Sequence, residues 1–212
     1  MYQAIIFDMD GVIFDTEDFY FERRRQFLDK HGLSIAHMEA KEFIGGNLQQ
    51  VWQKLLSQNT AKLDGDIIQK DYESYKKEHP APYSELLFPQ VKSTLKELRD
   101  MGYKLALASN SQTRDVHWAL TSSEIMPYFD LVLGREDVLN AKPNPEIYQK
   151  AAQLLGIDKE AVLIIEDSEK GIAAAKAAGI TVLAIKDYRY GINQSAANGQ
   201  INDIGDLLEV LK

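Results

Sequence analysis

Four carboxylates, one ammonium group and one hydroxyl stand where apolar runs of this chain end. Asp8 and Asp10 follow "AIIF" (4–7), and Ser109 with Asn110 follow "KLALA" (104–108). Lys142 lies in "NAKPNPEIY", the loop after "DLVLG" (130–134), and Glu166 with Asp167 close "VLIIE" (162–166). Asp8 and Asp10 share one face if the extended chain runs through them. At about 4 Å and an effective dielectric of about 20, two full charges repel by roughly 4 kcal/mol. Such a cluster needs a counter-charge. Oxygen donors of this kind suit a hard divalent cation, Mg²⁺ above all, which is commonly shared between carboxylates and substrate phosphate. Lys142 adds a positive charge suited to a phosphoryl group.

The elements that must position these groups can be read from the pattern. With "TVLAI" (181–185) there are five short apolar runs, near-continuous rather than alternating, as in a sheet covered on both faces. Helical patterns separate the later runs: "FPQVKSTLKELRDMG", "NPEIYQKAAQLLG" and "SEKGIAAAKAAG", each ending at or beside glycine. Strand and helix in alternation predict an α/β fold, a doubly wound parallel sheet with a Rossmann-like core. Ligands of such sheets bind beyond the carboxyl ends of the strands. Every group named above is expected at that edge.

Between the first and second runs the pattern changes. "EDFYFERRRQFLDKHG", "NLQQVWQKLLSQ" and "DIIQKDYESYKKEH" are amphipathic helical patterns with no strand between them. They predict an inserted helical cap subdomain over 16–85, carried by a core of 1–15 and 86–212. The insertion reads as a lid hinged near Asp15–Thr16 and Pro82–Leu87. The stretch "YRYGINQSAANGQ" reads as a polar loop and the most mobile part of the chain.

Composition narrows the function. The 212 residues carry a formal net charge of −8 and no long basic stripe, which excludes a nucleic-acid footprint. "ERRRQ" (22–26) reads as a solvated helix face. Without cysteine there is neither a disulfide framework nor a thiol nucleophile. No apolar stretch approaches a membrane span, and no signal segment precedes the first strand, so a cytoplasmic location is expected. The four histidines lack metal-ligand spacing, and Trp52 and Trp118 read as core. Neither a dinucleotide fingerprint nor a Walker-type loop is present.

"DMDGVIFDT", "SNS", "KPNPEIY" and "EDSEKGI", in this order, resemble the four motifs of the haloacid dehalogenase superfamily of phosphotransferases, and the insertion resembles its small helical cap. Within it the chain is most similar to the β-phosphoglucomutase and sugar-phosphate phosphatase branch. The resemblance implies Asp8 as nucleophile forming an aspartyl-phosphate, and Asp10 as general acid and then base. It implies Ser109, Asn110 and Lys142 on the phosphoryl group, and Mg²⁺ held by Asp8, Asp167 and the main-chain carbonyl of Asp10. Glu166 is implied either as a ligand or as a partner behind the ligands. From the cap, Thr16, Tyr20 and one of Lys76 and Lys77 are implied as substrate contacts, Lys77 being preferred.

Mutases of the branch carry a histidine where this chain has Tyr20. They also carry an arginine shortly after a glycine turn, where "IGGNLQQ" offers Asn47 and Leu48 and no cation before Lys54. A guanidinium holds a second phosphate in a bidentate fashion that other residues do not replace. The expectation is therefore a Mg²⁺-dependent phosphatase for a small phosphorylated metabolite such as a sugar phosphate, acting as a monomer. A phosphomutase is the alternative. A phospho-accepting receiver domain, which also gathers Asp, Ser/Thr and Lys at strand ends, needs neither the insertion nor Asp10.

Overall fold

The computed structural model describes residues 1–35, 38–39, 42–44, 48–57 and 64–212, without the side chains of 48–50, 52 and 54. By contacts the chain divides into two compact units, Met1–Asp15 with Tyr83–Lys212, and Thr16–Pro82.

In the first unit the five apolar runs are strands: β1 (Ala4–Phe7), β2 (Lys104–Ala108), β3 (Leu131–Leu133), β4 (Val162–Glu166) and β5 (Thr181–Ile185). A sixth, β6 (Gly199–Ile201), lies at the end of the stretch read as a loop. With glycine and glutamine in three residues it has too little apolar character to register as a strand alone. It forms by parallel pairing along β5, Leu183 opposite Gly199. The order is β3-β2-β1-β4-β5-β6 with every neighbouring pair parallel, the doubly wound sheet expected. The chain winds outward from β1 through β2 to β3, then returns to the other side of β1 for β4. The switch in strand order therefore falls at β1, and ligands of such sheets bind beyond the carboxyl ends at that point.

Burial follows this placement. All of β1 and β4 is buried, as is β2 after Lys104. The helices α5 (Val91–Asp100), α6 (Thr113–Ser122), α7 (Glu146–Leu155) and α8 (Glu169–Ala178) pack between strands in sequence; the short α4 (Tyr83–Leu86) precedes them and α9 (Leu207–Val210) follows. Gly156 and Gly179 end α7 and α8 in the left-handed region, φ 67° and 73°. Trp118, expected in the core, is on α6 and 56% exposed. Its side chain falls on the solvent stripe of the helix, whose buried residues are Val116, Ala119 and Leu120.

The outgoing and returning chain are tied together inside this unit. Phe14 and Leu87 form an antiparallel bridge, Asp15 N–H donates to Leu86 O at 2.8 Å, and Phe14 packs edge-on to Tyr83.

The second unit contains α1 (Glu17–Lys30), α2 (Leu48–Ser57) and α3 (Gly65–Glu78). Its own core joins Phe27 and Leu28 of α1 to Val51 and Leu55 of α2 and to Ile68, Tyr72 and Tyr75 of α3. "ERRRQ" is not a uniformly solvated face. Arg25 is half-exposed and pairs with Glu22 and Asp29. Arg24, one residue earlier and so turned by about 100°, is 8% exposed. Among the described residues no helix is long and apolar enough to cross a membrane. The side chains of Trp52 and Lys54, and residues His37 and Asn47, lie outside what is described.

Candidate active site

Asp8 is the first residue beyond β1, and its N–H donates to Ile165 O of β4 at 2.9 Å, so the sheet ladder carries the backbone up to the carboxylate. Lys142 reaches it from the loop before α7. Its Nζ donates to Asp8 Oδ1 at 2.6 Å, to Glu166 Oε1 at 2.8 Å and to Ala108 O at 2.9 Å. Three donors meet three acceptors, and the buried ammonium is fully paired. Asn110 braces the Lys142 backbone on both sides: Lys142 N–H donates to Asn110 Oδ1 at 3.0 Å, and Asn110 Nδ2 donates to Lys142 O at 3.3 Å.

Glu166, the last residue of β4, is fully buried. Its Oε1 accepts from Lys142 and from Tyr148 Oη at 2.7 Å. Its Oε2 accepts from the N–H groups of Asp167 and Ser168 and from Ser168 Oγ, at 3.0–3.1 Å. Ser168 Oγ also caps α8 by accepting from Gly171 N–H. Gly171 is required there, since a Cβ would lie 1.6 Å from Glu166 Oε1.

These environments separate two neighbouring carboxyls. Burial pushes Asp8 up from 3.8 to about 7, against Lys142 and reinforced by the charges of Glu166 and Asp10. Burial acts the same way on Glu166, but Lys142, Tyr148 and Ser168 outweigh it and hold that carboxyl below its ordinary value. Burial lowers the Lys142 ammonium, and the charges of Asp8 and Glu166 overcome this and raise it. The deciding difference is the number of donors each carboxylate receives.

Asp167 follows Glu166 and lies against Gly11, where a Cβ would meet its Oδ2 at 2.1 Å. Gly11 also has φ +77°, so both its conformation and the close approach require glycine. Asp8, Glu166 and Asp167 can each place an oxygen within 4.8 Å of the others. One ammonium balances three carboxylates, and a divalent cation with oxygen preference fits the remaining charge. Because both Glu166 oxygens already accept hydrogen bonds, Asp8 and Asp167 are the carboxylates best suited to ligate.

Asp10 accepts from Ser111 Oγ at 2.8 Å through Oδ2. Ser109 is buried, and its Oγ accepts from Ser111 N–H at 3.0 Å. The structure thus gathers Asp8, Lys142, Glu166 and Asp167 into one cluster, with Asn110 behind Lys142 and Ser109, Ser111 and Asp10 joined beside β2. Tyr148, Ser168, Gly171 and Ser111 belong to this network and were not singled out from the sequence. All four lie inside or beside the quoted motifs.

Thr16, Tyr20 and Lys77 belong to the helical unit. Thr16 is buried at the start of α1, with Tyr20 N–H donating to its carbonyl at 2.8 Å. Tyr20 packs against Phe19 and beneath the guanidinium of Arg23. Lys77 is exposed in the last turn of α3, whereas Lys76 pairs with Glu73 at 2.8 Å.

A family model described as haloacid dehalogenase-like hydrolase matches residues 5–185. A phosphorylated carbohydrates phosphatase of Thermotoga maritima is 32% identical over 200 residues, covering 93% of this chain and 88% of that protein. A crystal structure of a predicted phosphoglycolate phosphatase from Haemophilus somnus superposes with TM-score 0.85 at 25% identity, over 100% of this chain and 98% of that one. The β-phosphoglucomutase of Clostridium difficile, 22% identical, shares the fold with TM-score 0.81 over 100% and 96%.

Proposed function

The chain belongs to the haloacid dehalogenase-like hydrolase family and is an enzyme of it, and from this premise we propose that it is a Mg²⁺-dependent phosphatase of a small phosphorylated metabolite, a sugar phosphate in the first place. The observation that carries the reading is Lys142 bridging Asp8 and Glu166 while Asp167 lies against Gly11. The relative named for phosphorylated carbohydrates supports the substrate class.

In this reading Asp8 attacks phosphorus in line, the bond to the leaving oxygen breaks, and an aspartyl-phosphate forms. Asp10 gives its proton to the leaving oxygen, then takes one from the water that hydrolyses the intermediate. Lys142 neutralises phosphoryl charge and orients Asp8, and the Ser109 hydroxyl hydrogen-bonds the transferring group. The carboxylates of Asp8 and Asp167 and the carbonyl of Asp10 would hold the cation, with Glu166 fixing Lys142 and the Asp167 backbone. Bound there, Mg²⁺ supplies charge neutralisation for the phosphoryl oxygens. The division into a catalytic core (1–15 and 86–212) and a cap (16–85) is part of the same proposal. So are Thr16, Tyr20 and Lys77 as substrate contacts.

Hydrolysis of para-nitrophenyl phosphate should need Mg²⁺, and Asp8→Asn should lower kcat by about a thousandfold or more. Full activity in excess chelator, or in the variant, overturns the mechanism. With β-glucose 1-phosphate and a bisphosphate primer, release of inorganic phosphate should outpace isomerisation. The reverse, by about tenfold, replaces the phosphatase by the mutase.

A further inference from the structure

Both peptide units that flank Asp167 are held by side chains. The amide before it donates to Glu166 Oε2 at 3.0 Å, and the carbonyl after it accepts from Gln194 Nε2 at 2.6 Å. Gln194 lies in the loop after β5 and is 6% exposed. The same Nε2 donates to Ile185 O at 2.7 Å, the last carbonyl of β5. Its Oε1 accepts from Asp187 N–H at 3.1 Å and from Gln200 Nε2 at 3.0 Å. Two donors and two acceptors are all used, so the amide has one orientation; a flip would set its oxygen against two carbonyls. β4 and β5 are adjacent and parallel, Glu166 opposite Ala184. The Gln194 amide therefore closes the ladder one residue beyond the strand pairing, across the ends of two strands.

The loop is built to hold that amide in place. The Asp187 carboxylate accepts from the N–H groups of Arg189, Tyr190 and Ile192 at 2.6–2.9 Å. Burial alone would raise this carboxyl, and those N–H groups outweigh burial and lower it. Arg189 forms two hydrogen bonds to Asp15, at 2.5 and 3.2 Å. The stretch 188–200 is thus tied to Asp187, to Asp15 and, through Gln194, to the ends of β4 and β5.

We infer that Gln194 is a positioning residue for Asp167, holding its backbone so that the carboxylate stays against Gly11 and in reach of a cation shared with Asp8. The inference rests on the reading of Asp167 as a cation ligand. Partners behind a metal ligand commonly change affinity by 10- to 100-fold. Gln194→Glu keeps the size and the acceptor but removes both donors, and sets a carboxylate against two carbonyls.

The test is calorimetric titration of the metal-free full chain with MgCl₂, beside kcat measured against Mg²⁺. Gln194→Glu should weaken Mg²⁺ binding by about tenfold, while kcat at saturating Mg²⁺ stays within about threefold of wild type. Arg189→Ala, which loosens the loop at the Asp15 ion pair and leaves the amide in place, should stay within about twofold in affinity. Gln200→Leu, at the exposed position of β6, should shift affinity in the same direction as Gln194→Glu by about threefold. It serves as the deciding variant should Gln194→Glu not fold. Unchanged affinity in the deciding variant, or an equal loss in Arg189→Ala, overturns the positioning role alone. Absence of Mg²⁺ binding in the wild type overturns the metal reading and this inference with it.

Discussion

Lys142 in the α/β unit and Arg24 in the helical unit are both buried cations, 6% and 8% exposed. Their surroundings differ sharply. The Lys142 ammonium gives its three protons to Asp8, Glu166 and Ala108 O. The Nε and Nη1 atoms of Arg24 are buried and meet no hydrogen-bond acceptor among the described residues. The ring centres of Tyr20 and Phe43 each lie 5.6 Å from its guanidinium carbon. Cation–π attraction of about 0.5–2 kcal/mol recovers part of what a buried guanidinium loses with its water. Equal burial therefore carries opposite consequences. Removing one partner of a satisfied buried pair strands the other charges, whereas removing an unsatisfied buried charge relieves a penalty.

The largest expected effect is at Lys142. Lys142→Met should destabilise the metal-free protein by about 3–5 kcal/mol near neutral pH, read by urea denaturation. Its pH dependence identifies the cause. Without the ammonium, burial and mutual repulsion raise Asp8 further and lift Glu166, which Lys142 helps to hold below its ordinary value, upward as well. The folded variant then binds more protons than the unfolded chain, so its deficit should shrink as the pH falls toward 5. A deficit independent of pH would mean that lost packing, and not stranded charge, dominates.

A smaller loss is expected at Tyr148, whose buried hydroxyl is one of five donors to Glu166. Burial, then the charges of Glu166 and Asp8, push this phenol well above its ordinary value, so it remains a donor at all accessible pH. Tyr148→Phe should lower stability by about 1.5–3 kcal/mol, with kcat reduced because Lys142 gains freedom. An unchanged denaturation midpoint would show that Ser168 and the Asp167 amide suffice to hold Glu166.

The smallest effect has the opposite sign. Arg24→Met keeps the apolar stem and removes a charge two of whose buried nitrogens meet no acceptor among the described residues; stability should be unchanged or rise by about 1 kcal/mol. Arg25→Met, on the exposed neighbour, should leave the midpoint where it is. A clear loss in Arg24→Met, larger than in Arg25→Met, would mean that the rings of Tyr20 and Phe43 compensate the guanidinium after all.

The contrast also explains what was legible beforehand. Strand ends and motif residues were visible because their signals are local. An apolar run followed at once by Asp8 or Glu166 declares both the strand and the group that it delivers. Arg24 was misread because a run of three arginines has a composition but no face; which one turns inward depends on how α1 packs through Phe27 on Tyr72 and Tyr75 of α3. β6 was missed since its three residues earn strand geometry only from β5. Gln194 carried no local signal at all, its contact with Asp167 spanning 27 positions.

Residue order alone thus determined the parallel sheet, the helical insertion and the set of charged groups at the switch point, because hydrophobic period and strand-end chemistry act within a few residues. Tertiary structure decided how those charges are shared. It assigned five donors to Glu166 and one to Asp8, set Asn110 behind Lys142, buried Nε and Nη1 of Arg24 away from any acceptor among the described residues, and placed Gln194 across two strand ends. The physical reason is that desolvation and pairing depend on what surrounds a group in three dimensions, and those neighbours come from strands and loops far apart in the chain.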